Sequence, residues 1–156
     1  MKNIIIILSI ILLSFSVSCS KSKSSDSKFK IGILQLVEHA ALDEASQGFI
    51  DGLKEAGYED GKNLIIDYQN AQGEQANCIT IAQKFINDRS DLILAVATPA
   101  AQAVANLTKD IPILITAVTD PADAKLVADN NLPGGNVTGT SDLTPVREHY
   151  EPSATN

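Results

Sequence analysis

Two short segments carry residues suited to holding a small charged molecule. In Ala97-Thr98-Pro99-Ala100-Ala101, Thr98 can cap a helix and Pro99 suits its first position. Small residues let a ligand approach that first turn, whose unpaired N–H groups favour an anion such as a carboxylate. In Val118-Thr119-Asp120-Pro121, Asp120 can cap in the same way, with Asp123 three residues on as a weak capping-box partner. A capping Asp120 would keep one oxygen for a ligand ammonium. Glu38 and His39 follow the first apolar run and add a carboxylate and an imidazole. Each group has an ordinary structural alternative: both segments are good helix starts, and Glu38-His39 is also a typical solvated loop.

Other chemistries find little support. Only His39 and His149 are present, far apart, and no set of His, Cys, Asp and Glu has metal-ligand spacing. Cys78 sits near Ile79 and Ala82 in a helical pattern and reads as a small core filler. His39 and Ser46 give no nucleophile with an orienting partner. The turn after the first apolar run, Leu36-Val37-Glu38-His39, lacks the glycines of a nucleotide fold, and no phosphate loop ending in Gly-Lys-Ser or Gly-Lys-Thr occurs. A receiver domain would need an acidic cluster at the sheet edge and a cytoplasmic setting, and neither is met. The residues therefore suggest binding without catalysis, cofactor or metal.

The elements that would position these residues alternate along the chain. Phe29–Leu36 reads as a strand, and Leu42, Ala45, Phe49, Leu53 and Ala56 then recur at helical spacing up to Gly57. Leu64–Tyr68 is a second strand and Glu74–Asn87 a second helix. Leu92–Ala97 is continuously apolar, as a strand covered on both faces should be. A helix is expected from Thr98-Pro99 to Leu107, a strand over Ile111–Val118, a helix from Asp120-Pro121 through Leu126 and Val127, and a last short strand over Asn136–Thr140. Strict alternation predicts an α/β fold: a doubly wound parallel sheet with flanking helices. Ligands of such sheets bind at the carboxyl ends of the strands.

The N-terminal segment is of a different kind. Lys2, the apolar run Ile4–Val17 and the small residues before Cys19 read as a secretory signal over residues 1–18. Cys19 is the expected lipidation site, and residues 19–28, rich in Ser and Lys, read as a tether from a lipid anchor. Residues 29–146 form the expected lobe and residues 147–156 an unpatterned tail. The chain has 12 basic and 19 acidic residues; Lys2 leaves with the signal, so the remainder carries 11 against 19, or −8. Such a body argues against nucleic acid as a partner.

Several longer segments carry a family resemblance. They are Lys30-Ile31-Gly32-Ile33-Leu34-Gln35-Leu36-Val37-Glu38-His39, Gly48-Phe49-Ile50-Asp51-Gly52-Leu53, Asn70-Ala71-Gln72-Gly73, Ala97-Thr98-Pro99-Ala100-Ala101-Gln102, Thr116-Ala117-Val118-Thr119-Asp120-Pro121, and the stretch from Gly134 to Asp142. Together they resemble the ABC-transporter substrate-binding lipoproteins related to the tryptophan/tyrosine-binding type. The resemblance implies the N-terminal lobe of a type I periplasmic-binding-protein-like receptor, whose two lobes trap a solute and deliver it to an ABC permease in the membrane. The implied solute is an amino acid such as tryptophan, tyrosine or phenylalanine. By the same resemblance, Leu36, Glu38 and His39 face the cleft. Thr98 and the N–H groups of Ala100 and Ala101 take the ligand carboxylate, Thr119 and Asp120 the ammonium, and Ser141 and Asp142 lie near the crossing to the second lobe. Ala40 stands where relatives often have Pro, and Ser16 where lipoprotein signals usually have Leu. After Val146 the family pattern of a further helix and second lobe is not followed. Two other readings fit the same residues: a lipid-anchored single domain that contacts a protein partner, and a non-functional receptor fragment.

Overall fold

The computed structural model describes residues 28–142. The expected signal, Cys19, most of the tether and the 147–156 tail lie outside the described residues. Five strands, β1 (Phe29–Gln35), β2 (Leu64–Asn70), β3 (Leu92–Val96), β4 (Ile113–Val118) and β5 (Val137–Ser141), alternate with helices α1 (Ala40–Glu55), α2 (Gln75–Asn87) and α3 (Thr98–Leu107). All strand pairs are parallel, in the order β2-β1-β3-β4-β5.

Two apolar layers explain the strand sequences. Ile31, Ile33, Leu64, Leu94 and Val96 face α1 through Leu42, Phe49, Ile50 and Leu53. Leu34, Ile93, Ala95, Ile113 and Ile115 face α2 and α3 through Cys78, Ala82, Phe85, Ala100 and Val104. The continuous runs of β1 and β3 are thus strands buried on both faces. Burying a large side chain such as Phe85 contributes about 1.5–3 kcal/mol. Phe85 also fixes the identity of Gly32: a Cβ there would stand 2.5 Å from its ring. Cys78 is fully buried, and burial pushes its thiol pKa up, as an inert filler requires.

One expected element does not form. The segment after Asp120 makes a short run of turns in place of a helix. Ala124 donates to the Asp120 carbonyl and Leu126 to that of Pro121, but Lys125 adopts φ +59° and the spiral stops. Asn130 holds the loop instead: its amide nitrogen donates to Asp120 Oδ1 at 2.9 Å, and its side-chain oxygen accepts from the Ala122 N–H at 2.9 Å.

Candidate functional site

Because every strand runs the same way, the loops after β1, β3, β4 and β5 meet at one edge of the sheet. From β1 the chain crosses to α1 on one face; from β3 it crosses to α3 on the other. The strand order turns between these two neighbours, which opens the crevice where doubly wound sheets bind ligands. Leu36, Glu38, His39, Thr98, Thr119, Asp120, Ser141 and Asp142 all belong to this edge.

The first loop is held from beneath. Gln35, the last residue of β1, is fully buried. Its amide nitrogen donates to the Val37 carbonyl at 2.9 Å and to Asp43 Oδ1 at 2.6 Å, and its oxygen accepts from Ser46 Oγ at 2.7 Å. Leu36 donates to the Val96 carbonyl and accepts from the Gly73 N–H, so the β1 loop is pinned to β3 and to the loop after β2. Glu38 and His39 are exposed. His39 caps α1, with Nδ1 accepting from the Ala41 N–H at 3.3 Å.

The β3–α3 junction differs from its expected form. Thr98 is the first helical residue and makes no cap bond; the cap position is Ala97, at φ +81° and ψ 153°. That region of backbone space is nearly restricted to glycine and costs about 1–3 kcal/mol. Ala97 is fixed there from both sides: its N–H donates to the Thr116 carbonyl at 3.0 Å, and its own carbonyl accepts from the Ala101 N–H at 3.1 Å. The N–H groups expected to meet a carboxylate, those of Ala100 and Ala101, are not equivalent here, because that of Ala101 closes the first helical turn. Both residues are fully buried. Thr98 is partly exposed at the helix start, where its N–H has no carbonyl one turn back to receive it.

Beyond β4, Asp120 Oδ1 accepts from the N–H groups of Ala122 at 3.0 Å and Asp123 at 3.1 Å, and from Asn130. All three donors converge on one oxygen and leave Oδ2 for a fourth. The Asn130 bond, then the Asp123 amide, hold the carboxyl below its usual pKa, so it is charged at neutral pH. A bulge lies just before: Ala117 takes φ +55°, and the register to β5 shifts between Ile115 and Val118. Ser141 Oγ donates to the Thr119 carbonyl at 2.8 Å, and the Asp142 N–H to the Val118 carbonyl at 2.9 Å, so the β5 end is tied to the β4 loop.

The edge is mostly acidic. Glu38, Asp43, Glu44, Glu74, Asp120, Asp123 and Asp142 sit in its loops and first helical turns, with Lys125 the one basic residue in those loops among the described residues. The opposite edge is mixed: Lys28, Lys30, Lys54, Lys62, Arg89 and Lys109 stand there among Glu55, Glu59, Asp60, Asp88, Asp91 and Asp110. A groove of about 320 Å³ also lies there, lined by Lys30, Ile31, Ile65, Asp67, Asp88 and Ser90. It is walled by the Lys84 pairs with Asp67 and Asp88 and is removed from the switch crevice. Two residues of the candidate edge escape sequence reasoning. One is Gln35. The other is Tyr68, near the end of β2, whose hydroxyl pKa is raised by partial burial and then by the charges of Asp43 and Glu38.

Residues 30–153 match the family of ABC transporter substrate binding proteins. The chain is 54% identical over 129 residues to a tyrosine-binding protein of Clostridioides difficile, covering 81% of this chain and 37% of that protein. The ligand-free, open structure of a substrate binding protein with adhesive properties from Clostridium difficile superposes with a TM-score of 0.74 at 55% identity, covering 76% of this chain and 40% of that one. A Streptococcus pneumoniae ABC domain in complex with L-Trp superposes with a TM-score of 0.70 at 46% identity, over 74% and 39% of the two chains. The chain thus spans about two fifths of the length of these relatives, and its fold is that of a type I periplasmic-binding-protein-like lobe. By sequence and by fold, it belongs to the ABC transporter substrate binding protein family.

Proposed function

We propose that the carboxyl edge of the sheet is one wall of a cleft that holds a small amino acid, an aromatic one in preference. In this reading the chain is one lobe of a two-lobed receptor, the solute-binding component of an ABC importer. It works outside the cytoplasm, held to the membrane by a lipid on Cys19, and hands its solute to a permease. The carrying observation is the pairing on adjacent strands of a helix start at Thr98 with a charged, half-committed carboxylate at Asp120. A zwitterion needs both groups close together. The Thr98 hydroxyl and N–H take the carboxylate; Asp120 Oδ2, with Thr119, takes the ammonium. The Leu36–His39 loop packs on the side chain, and Ser141 and Asp142 close the far side. The tyrosine-binding and L-Trp-bound relatives support an aromatic amino acid.

Titration with tryptophan, tyrosine and phenylalanine, followed by amide chemical shifts, tests the site. Shifts should concentrate at Leu36–His39, Thr98 and Thr119–Asp120, and should vanish in Thr98→Ala and Asp120→Ala variants that remain folded. Shifts confined to the opposite edge would overturn the assignment. The anchor is tested by intact mass of the protein extracted from its own membranes, where Cys19 should carry two or three acyl chains.

A further inference from the structure

We infer that Gln35 is a positioning residue, which sets the Leu36–His39 loop and through it one wall of the ligand site. The inference rests on the proposed function for its ligand readout only.

A polar side chain in the middle of a core is costly unless its hydrogen bonds are met. Gln35 is fully buried, and its three bonds are all directed to one task. The Val37 carbonyl and the Asp43 carboxylate both need donors, while the Ser46 hydroxyl needs an acceptor. An amide is the side chain that offers two donors and an acceptor from one end. Carboxylate, hydroxyl and apolar side chains each leave at least one of these partners unmet. The bonds to Asp43 and Ser46 lock Gln35 against α1, and the bond to Val37 carries that fixed position into the loop. Leu36 is held by its backbone bonds to Val96 and Gly73, but beyond it the loop has little else from its own chain. Val37, Glu38 and His39 are exposed, and His39 is engaged in capping α1. Gln35 therefore touches no ligand, yet it fixes where Leu36 and Glu38 stand when one arrives.

The test compares Gln35→Met with Phe85→Leu, a core change remote from the loop that also lowers stability. The full chain is solubilised from membranes in detergent. Two quantities are read: amide hydrogen exchange of residues 36–39 without ligand, and the dissociation constant for tryptophan. In Gln35→Met the loop amides should exchange faster relative to those of α1, and tryptophan should bind about tenfold more weakly, the effect of one lost hydrogen bond. Phe85→Leu should leave both unchanged relative to its own global stability. Loop exchange in Gln35→Met that merely follows global stability, as in Phe85→Leu, would overturn the inference. If the wild-type chain binds no aromatic amino acid, the proposed function fails, and the exchange comparison alone decides the role of Gln35. Should Gln35→Met not fold, Gln35→Glu combined with Asp43→Asn restores a bond across that pair but not the bond to Val37. Fast loop exchange in that variant supports the inference, and wild-type exchange sinks it.

Discussion

Asp120 shows how one side chain can serve fold and ligand at once. Three donors crowd Oδ1 and shape the loop, while in the proposed function Oδ2 meets a cationic group. Those bonds favour the charged form, so the folded-state pKa lies below the unfolded one. The stabilisation is therefore full above the ordinary carboxylate value of about 4 and is lost as pH falls through the lowered value. Thermal melts of wild type and Asp120→Asn should differ most above that pH and converge in stronger acid. A constant gap across the acid range would show that the charge contributes nothing. The sequence marked Asp120 as a cap but could not show its partner, because Asn130 lies ten residues away across a loop.

Among the elements, the strands were the most legible. All five expected runs match to within two residues at each end, and in β1 and β3 burial on both faces leaves few polar interruptions. The helix expected after Asp120 failed for a physical reason: its first turn looked helical, but the Asp120–Asn130 contact and the left-handed Lys125 outweigh local propensity. The β3–α3 junction was placed correctly and its cap was not. Nothing in Ala97-Thr98-Pro99 reveals that the alanine takes the glycine-like conformation. Gln35 was hidden for a related reason, since an amide at a strand end gives no pattern to a periodicity argument. The strain at Ala97 yields a direct prediction. Ala97→Gly relieves about 1–3 kcal/mol of backbone strain and adds about 0.5–1 kcal/mol of unfolded-state entropy. The variant should be more stable by about 1 kcal/mol in urea denaturation, and a destabilised variant would show that Ala97 is unstrained. If the strain also aims Thr98, tryptophan affinity should fall while stability rises.

At the scale of the lobe, an open wall on its own is a weak receptor. Pockets that hold small molecules bury most of the ligand surface, and a single sheet edge cannot. These 156 residues, tested by themselves, are expected to bind tryptophan with a dissociation constant above about 1 mM. Calorimetric titration reaching micromolar affinity would refute this. The edge's charge adds a selectivity prediction. Tryptamine, which keeps only the ammonium, should bind better than indole-3-propionate, which keeps only the carboxylate, and added salt should narrow the gap. Equal affinities would mean that the acidic ring exerts no field at the site.

An acidic edge opposite a mixed one makes the lobe an electric dipole, with its negative pole at the carboxyl ends of the strands. The chain enters β1 at the other pole, where Lys28 bonds the Gly61 carbonyl. A dipole beside a charged sheet feels a torque within a Debye length, about 8–10 Å at moderate salt. Beside any anionic surface, the acidic end would turn away and the mixed end toward it. The parallel order of the strands thus gathers a surplus of negative charge at one end of the lobe and leaves the other end mixed.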